Sequence, residues 1–472
     1  MKTMRLFDTM LREKVEFEPA EPGHVKMYVC GVTPYNLCHL GHARAYITFD
    51  LLKRCFLFQG WTVTHVQNFT DIDDKIINAA AVAGETAAQV SQKYIAAYYE
   101  DMEKLHVQPA DVYPLVTENM AEIIQMVETL IEKGHAYESE GDVYFSVASF
   151  PEYGKLSGRK DEDMMAGARV DINEKKQAPM DFALWKKAKP GEPMWSSPWG
   201  EGRPGWHIEC SALSYKHLGI GFDIHGGGAD LVFPHHENEI AQSEAFAGCG
   251  PFARYWVHNG FVTINEEKMS KSLGNFFTIR DILTKYEPEV LRFLLLSTHY
   301  RSPLEFSPDK LDEAGRALQR IRNAYYNLQQ MHGQCGEQPD ASWQASLDGY
   351  RQDFRAALMD DFNSAKAIGV LFDFVREINS LGGENPTGMA SIALDGVKFF
   401  EECDQVLAVL DGAASSNGEA GMADALLELL MQVRDMAREK KDYATSDIIR
   451  DGLAALDVIV EDTKSGSRWK KA

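Results

Sequence analysis

The stretch Met27–His42, MYVCGVTPYNLCHLGH, constrains the fold more than any other part of this chain. Val25–Val32 is apolar and β-rich, and Gly31, Pro34 and Asn36 break it into a turn. Leu40–Phe58 has helical spacing without proline, Gly60 ends it, and Thr62–Phe69 reads as a second strand. Strand, helix and strand joined by short loops open a doubly wound parallel sheet. Ligands of such sheets gather beyond the carboxyl ends of the strands, where a helix N-terminus also offers N–H groups to phosphate. Cys30, Gly31, His39, Gly41 and His42 all fall in that zone.

The chain has 472 residues, enough for two to four domains. Its 45% hydrophobic and 25% charged content is ordinary for a globular protein. No apolar run is long enough to span a bilayer, and the N-terminus lacks the apolar centre of a signal peptide. A cytoplasmic protein without membrane contact is expected. Seven widely spaced cysteines (30, 38, 55, 210, 249, 335 and 403) then indicate metal ligation, catalysis or burial rather than a disulfide framework. The net charge of −22 excludes a general nucleic-acid binder. Over residues 431–472, however, nine Lys/Arg face eight Asp/Glu, so a polyanion could be held at that end alone.

After the second strand comes Asn68-Phe69-Thr70-Asp71, which makes Asn68 and Thr70 candidate substrate contacts, with helix capping by Thr70 or Asp71 as the alternative. Residues 75–135 look largely helical. From Tyr137 to Pro204 the texture turns to short strands and prolines, so 1–120 and 205–264 read as two halves of a Rossmann-like sheet domain with a connective insertion at 121–204. In the second half, GWHIECSALSYKHLG resembles a helix, GFDIHGGGADLVFPHHENEIAQSEAF a strand, glycine loop and helix, and Tyr255–Ile264 one further strand. A polar loop containing KMSKS opens the region 265–310. Leu311, Ala314, Leu318, Ile321, Tyr325 and Leu328 then mark a helical bundle over 311–411. Residues 412–472 read as a linker and a small mixed domain. The expected fold class is therefore α/β, with a helical bundle and a small C-terminal domain appended.

Three constellations carry chemistry. Cys30, Cys210, His235 and Glu239 form the first. His235 and Glu239 are i and i+4 on one helix face, and a parallel sheet could bring all four to its carboxyl edge. Two thiolates, an imidazole and a carboxylate suit zinc. His236 could take the place of His235. The second is His39-Leu40-Gly41-His42, whose imidazoles can meet developing negative charge. The third is Lys268-Met269-Ser270-Lys271-Ser272, whose lysines and hydroxyls could grip a triphosphate.

H-x-G-H after the first strand with KMSKS a domain later resembles the class I aminoacyl-tRNA synthetases. CGVTPYNLCHLGHARAYITFD, VQNFTDIDDKI, YGKLSGR, GWHIECSA, HGGGADLVFPHHENE, KMSKSLGN and KDYATSDIIRDGL narrow the resemblance to the cysteinyl-tRNA synthetase family over nearly the whole chain. Leu40 where Ile is usual, Asp457 where glycine is common and the Lys-Lys-Ala tail are small departures. The resemblance implies a zinc ion on Cys30, Cys210, His235 and Glu239, which selects the substrate thiolate and makes an editing domain unnecessary. It implies ATP, with Mg2+, on Lys271, His39, His42, Gly228 and Val262, and catalytic roles for His39, His42, Lys268 and Lys271. Thr33, Asn68, Thr70, Trp206 and Asp230 would contact cysteinyl adenylate, Trp206 as a pocket wall and Asp230 as partner of the ammonium. L-cysteine, ATP and tRNA(Cys) would be the partners of a monomer. Arg438, Lys440, Lys441, Arg450 and Arg468 would touch tRNA phosphates, and Tyr443 and Trp469 would stack on anticodon bases. The nearest alternative is a cysteine-activating ligase of the mycothiol type, which lacks the long C-terminal region present here at 422–472.

Overall fold

The computed structural model describes residues 3–158, 175–264, 267–268, 277–331, 341–384, 386–410, 417–454, 458–463 and 466–471. Four parallel strands form the central sheet: β1 (His24–Val29), β2 (Thr62–Gln67), β3 (Phe222–Gly228) and β4 (Ala253–Asn259), in the spatial order β4-β3-β1-β2. Successive buried residues in β1, β3 and β4 suit strands covered on both faces. Tyr28 lies between His225 and Val66 in register, and Val29 lies between Gly226 and Gln67. Cys30 and Asn68 consequently leave the sheet at one edge, beside Gly227 of β3.

Helix α1 (Leu40–Phe58) connects β1 to β2 and is buried on most of its surface. The sequence reading placed Gly226–Gly228 in a loop, but they are the last residues of β3. A Cβ on Gly226 would lie 2.2 Å from the Phe49 ring of α1, so this glycine makes room for helix packing on the sheet. Tyr28 and Val66 face the other side, where they share a core with α2 (Trp206–Leu218), α3 (Glu237–Ala247) and the helix Met120–Glu132.

Between the two sheet halves lies a five-stranded antiparallel sheet, ordered 136–139, 142–145, 182–187, 200–204, 195–197. The expected strand Tyr255–Ile264 is split. After β4 the chain breaks at Gly260 and continues as β5 (Val262–Ile264), which pairs with β6 (Glu267–Lys268) and with β7 (Leu304–Glu305). The cause is that the Gly260 N–H bonds to the Tyr300 carbonyl, 2.8 Å away, and so leaves the central ladder. The helix after β2, Asp74–Ala83, is capped by Asp73 and not by Thr70 or Asp71: the Lys75 N–H donates to Asp73 Oδ1 (2.8 Å), while Asp71 accepts from Thr117.

Helix α4 (Pro288–Leu296) leads to four long helices, Pro308–Met331, Ala341–Met359, Ser364–Glu384 and Pro386–Leu407. Leu311, Ala314, Leu318, Ile321 and Leu328 are buried as their spacing requires, and the Tyr325 hydroxyl donates to Glu401 (3.3 Å). Asn363 caps the third of these helices through the Lys366 N–H. The chain divides into two compact units, 1–409 and 410–472. The second contains helices Asn417–Glu439 and Tyr443–Ala454 and a hairpin, Val458–Thr463 with Gly466–Lys471, in which Trp469 stands opposite Val460. Within it Tyr443 is exposed, and Arg450 pairs with Asp447 and Asp451 on its own helix. Among the described residues no helix is long and apolar enough to cross a membrane.

Candidate functional site

His39 is the N-cap of α1, with extended backbone (φ −111°, ψ 172°). Its Nδ1 accepts from the His42 N–H (3.2 Å), and His42 Nδ1 accepts from the His39 N–H (3.3 Å). This is a capping box made with imidazoles. Because both Nδ1 atoms accept, the proton of each neutral ring sits on Nε2. The rings stack with centroids 3.7 Å apart. The turn is also tied to the segment after the KMSKS loop: the Leu40 N–H bonds to the Phe277 carbonyl (3.1 Å) and the Ile279 N–H to the Cys38 carbonyl (2.9 Å). Lys268 pairs in backbone register with Thr263, whereas Lys271 lies outside the described residues.

His39, His42, Thr33, Trp206, Gly228, Asp230 and Val262 line one cavity of about 330 Å3. Asn68 and Thr70 do not line it. Asn68 is fully buried, and its Oδ1 accepts from the Gly31 N–H (2.9 Å) while its Nδ2 donates to Thr70 Oγ1 (3.3 Å). It braces the turn after β1. Trp206 and Thr33 also border a wider cavity of about 680 Å3, whose walls carry Lys75, Lys176, Lys186, Lys187, Lys189 and Arg203.

Beside the turn, Cys30 follows β1, Cys210 comes from α2, His235 from the turn before α3 and Glu239 from α3 itself. Their ligand atoms all lie within 4.8 Å of one another, and all four residues are buried. The two Sγ atoms are 3.8 Å apart, Cys30 Sγ is 3.5 Å from Glu239 Oε1, and His235 Nε2 is 3.0 Å from the same oxygen. Two ~2.3 Å zinc–sulfur bonds at a tetrahedral angle require a sulfur separation of roughly 3.8 Å, so the donor set fits zinc.

The charges agree. The Cys30 thiol, donating to Cys210, pulls Cys210 down to about 6 despite burial, while burial and that same neighbour push Cys30 up. The pair thus favours one thiolate. Burial opposes charge on His235 and Glu239, yet each outweighs it for the other: His235 is pushed up to about 10, and Glu239, facing His225 and His235, is held at about 2.

Three histidines that sequence reasoning did not single out enclose the cluster. His225 Nε2 lies 2.8 Å from Glu239 Oε2, His207 Nδ1 lies 2.9 Å from His235 Nδ1, and His258 Nε2 lies 2.7 Å from His236 Nδ1. His236 itself reaches Cys30 Sγ at 3.3 Å, so Cys30, His225, His236 and Glu239 form a second, overlapping donor set. Burial and the neighbouring imidazoles hold His236 well below its ordinary value, hence neutral.

Comparison with known proteins gives the family. Residues 16–316 match the family described as tRNA synthetases class I (C) catalytic domain, 353–411 a DALR domain, and 420–469 a cysteinyl-tRNA ligase anticodon binding domain. The cysteine–tRNA ligase of Heliobacterium modesticaldum is 51% identical over all of both chains. That of Carboxydothermus hydrogenoformans is 53% identical over 99% of this chain and 100% of its own. Among solved structures, Mycobacterium tuberculosis methionyl-tRNA synthetase in complex with methionyl-adenylate superposes with a TM-score of 0.63 at 14% identity, covering 85% of this chain and 96% of that one, a likeness of fold. The chain belongs to the cysteinyl-tRNA synthetase family of class I aminoacyl-tRNA synthetases.

Proposed function

We propose that this protein activates L-cysteine with ATP and transfers the cysteinyl group to the 3′ end of tRNA(Cys). The observation that carries the reading is the meeting, at one sheet edge, of a soft four-donor cluster and a turn of two stacked imidazoles. ATP occupies the smaller cavity between the His39–His42 turn and Gly228–Val262. The Nε2–H groups of His39 and His42 donate to phosphate oxygens as charge builds at the α-phosphorus. Lys268 and Lys271 hold the departing pyrophosphate, with Mg2+ accompanying the nucleotide.

Zinc bound by Cys30, Cys210, His235 and Glu239 supplies a preference for thiolate over hydroxyl, which separates cysteine from serine where pocket size alone gives only ~10–200-fold per small group. His235 is preferred to His236 because its set includes Cys210, the thiol drawn toward thiolate. His225 then orients Glu239, and Asn68 holds Gly31 and the turn. Asp230 receives the substrate ammonium. The Trp206 ring, stacked on His235 with centroids 4.2 Å apart, walls the amino-acid end of the cavity.

The cysteine carboxylate oxygen attacks the α-phosphorus and the bond to pyrophosphate breaks. The terminal ribose hydroxyl of tRNA then attacks the carbonyl carbon, and AMP leaves. No side chain acts as nucleophile, so positioning and charge do the work. The cavity beside Trp206, where six Lys/Arg outnumber Asp73, Asp74 and Asp142 within an acidic chain, offers the polyanionic second substrate its way in. A ligase of the mycothiol type is not favoured, since residues 420–469 match an anticodon-binding domain. The test is cysteine-dependent ATP–pyrophosphate exchange followed by charging of tRNA(Cys). Both are expected; exchange without charging would remove tRNA from the reading, and no cysteine-dependent exchange would sink it.

A further inference from the structure

Arg44 lies on the second turn of α1, two residues beyond His42, and borders the nucleotide cavity. It is almost completely buried, and among the described residues no carboxylate pairs with it. Its guanidinium instead donates to four carbonyls of one segment: Leu295, Thr298 (3.3 Å), His299 (2.8 Å) and Ser302 (3.4 Å). The first of these belongs to the last turn of α4, whose terminal carbonyls lack helical partners. Burial pushes Arg44 down to about 10, so it remains a cation at neutral pH. A buried cation without a counter-charge is costly, and an apolar side chain would pack α1 against α4 better. The gain must lie in what the fork holds.

Residues 298–302 lie directly against the strand that leaves the central sheet toward KMSKS. The Gly260 N–H bonds to the Tyr300 carbonyl (2.8 Å), the Leu304 N–H to the Phe261 carbonyl (2.9 Å) and the Phe306 N–H to the Thr263 carbonyl (2.9 Å). A Cβ on Gly260 would lie 2.5 Å from the Ser302 carbonyl oxygen, so the approach tolerates no side chain. Beyond it, Val262 and Thr263 pair with β7, and Thr263 pairs with Lys268. Two walls of the nucleotide cavity, the start of α1 and Gly260–Val262, come from distant parts of the chain. One guanidinium joins the first to the segment that supports the second.

We propose that Arg44 is a positioning residue for adenylate formation, fixing the separation between the His39/His42 turn and the start of β5 at Val262, which faces it across ATP. The inference rests on the proposed activity and adds a residue whose guanidinium is engaged by backbone carbonyls.

A lysine at 44 keeps the charge but cannot span four carbonyls. In Arg44→Lys, kcat for cysteine-dependent ATP–pyrophosphate exchange is expected to fall about tenfold to a hundredfold and the KM for ATP to rise about tenfold, with the KM for cysteine unchanged within about twofold. A purely structural cap would lower the melting temperature and leave kcat of the folded enzyme intact. That outcome, or an equal rise in both KM values, overturns the proposal. Should Arg44→Lys not fold, Gly260→Ala presses the same contact from the opposite side and is expected to give the same selective pattern; parent-like kinetics there would overturn it. The parent enzyme is measured alongside, so loss of the activity reading appears as an inactive parent. Equilibrium binding of ATP, which needs no turnover, still decides for Arg44: about tenfold weaker binding in the variant supports it, and unchanged binding refutes it.

Discussion

His39 and His42 are held by each other's backbone within a span of four residues, whereas Cys30, Cys210, His235 and Glu239 meet across as many as 209 positions and are held by side chains. The first arrangement is local. Its geometry follows from one capping box and survives as long as the helix starts there. The second is collective. Each protonation state in it depends on the others, so removing one member changes the charge on the rest. A metal and a phosphate would place opposite demands on the same strand end: a closed set of donors on one side, a pre-oriented pair of N–H groups on the other.

The sharpest way to break this contrast is Cys210→Ser. A hydroxyl in place of the thiol removes one of the two sulfur donors, which lie 3.8 Å apart. Bound zinc should drop below one per chain on metal analysis, and kcat/KM for cysteine should fall by roughly 10³-fold, mainly through KM. Unchanged zinc content would transfer the metal to the overlapping set with His225 and His236.

On the local side, His39→Asn separates capping from chemistry. Asparagine caps as well as any residue, so the melting temperature should stay near the parent value while the exchange rate falls about 10²-fold. His39→Ala should lose the same rate and, in addition, about 1 kcal/mol of stability. Equal stability of the two variants would show that the imidazole cap contributes nothing to the helix.

A milder change, His225→Gln, probes how far the collective side extends. His225 contacts Glu239 and lies outside the preferred ligand set, so about tenfold weaker zinc affinity is expected from chelator competition, with the ATP KM unaffected.

The same contrast explains what could be read from the sequence. The strand–turn–helix at Met27–His42 and the bundle stripe from Leu311 to Leu328 are local patterns, and both appear in the structure. Cys30, Cys210, His235 and Glu239 could be nominated because their residue types are rare and suit one metal. The enclosing histidines could not, since His207, His225 and His258 look like isolated polar residues in apolar elements. The available signal was their placement: His225 sits in a buried parallel strand, where an unpaired imidazole would be costly, and so needs a partner from elsewhere. The errors were of the same kind. Gly226 serves a ring on α1, and the break at Gly260 serves a carbonyl 40 residues away, neither of which local texture records. Thr70 and Asp71 looked like caps, but their oxygens are engaged by Asn68 and Thr117, leaving Asp73 to cap.

The smallest effect concerns an imidazole with no collective support. His65, on β2, is buried, and neither ring nitrogen has a hydrogen-bond partner among the described residues. Burial, with Lys53 nearby, pushes it down to about 3. Its folded value thus lies below the unfolded value of about 6.5, and the sign follows. Above that pH both states are neutral and His65 has no influence. As pH falls through 6.5 the unfolded chain takes a proton that the folded chain refuses, and stability declines by ~1.4 kcal/mol per unit until the folded value is reached. His235 behaves oppositely, because Glu239 favours its charged form. His65→Leu should therefore reduce the loss of unfolding free energy between about pH 8 and pH 6 by ~0.8 kcal/mol, measured from urea transitions at the two pH values. An identical pH dependence in variant and parent would mean that folded and unfolded chains bind the His65 proton equally well.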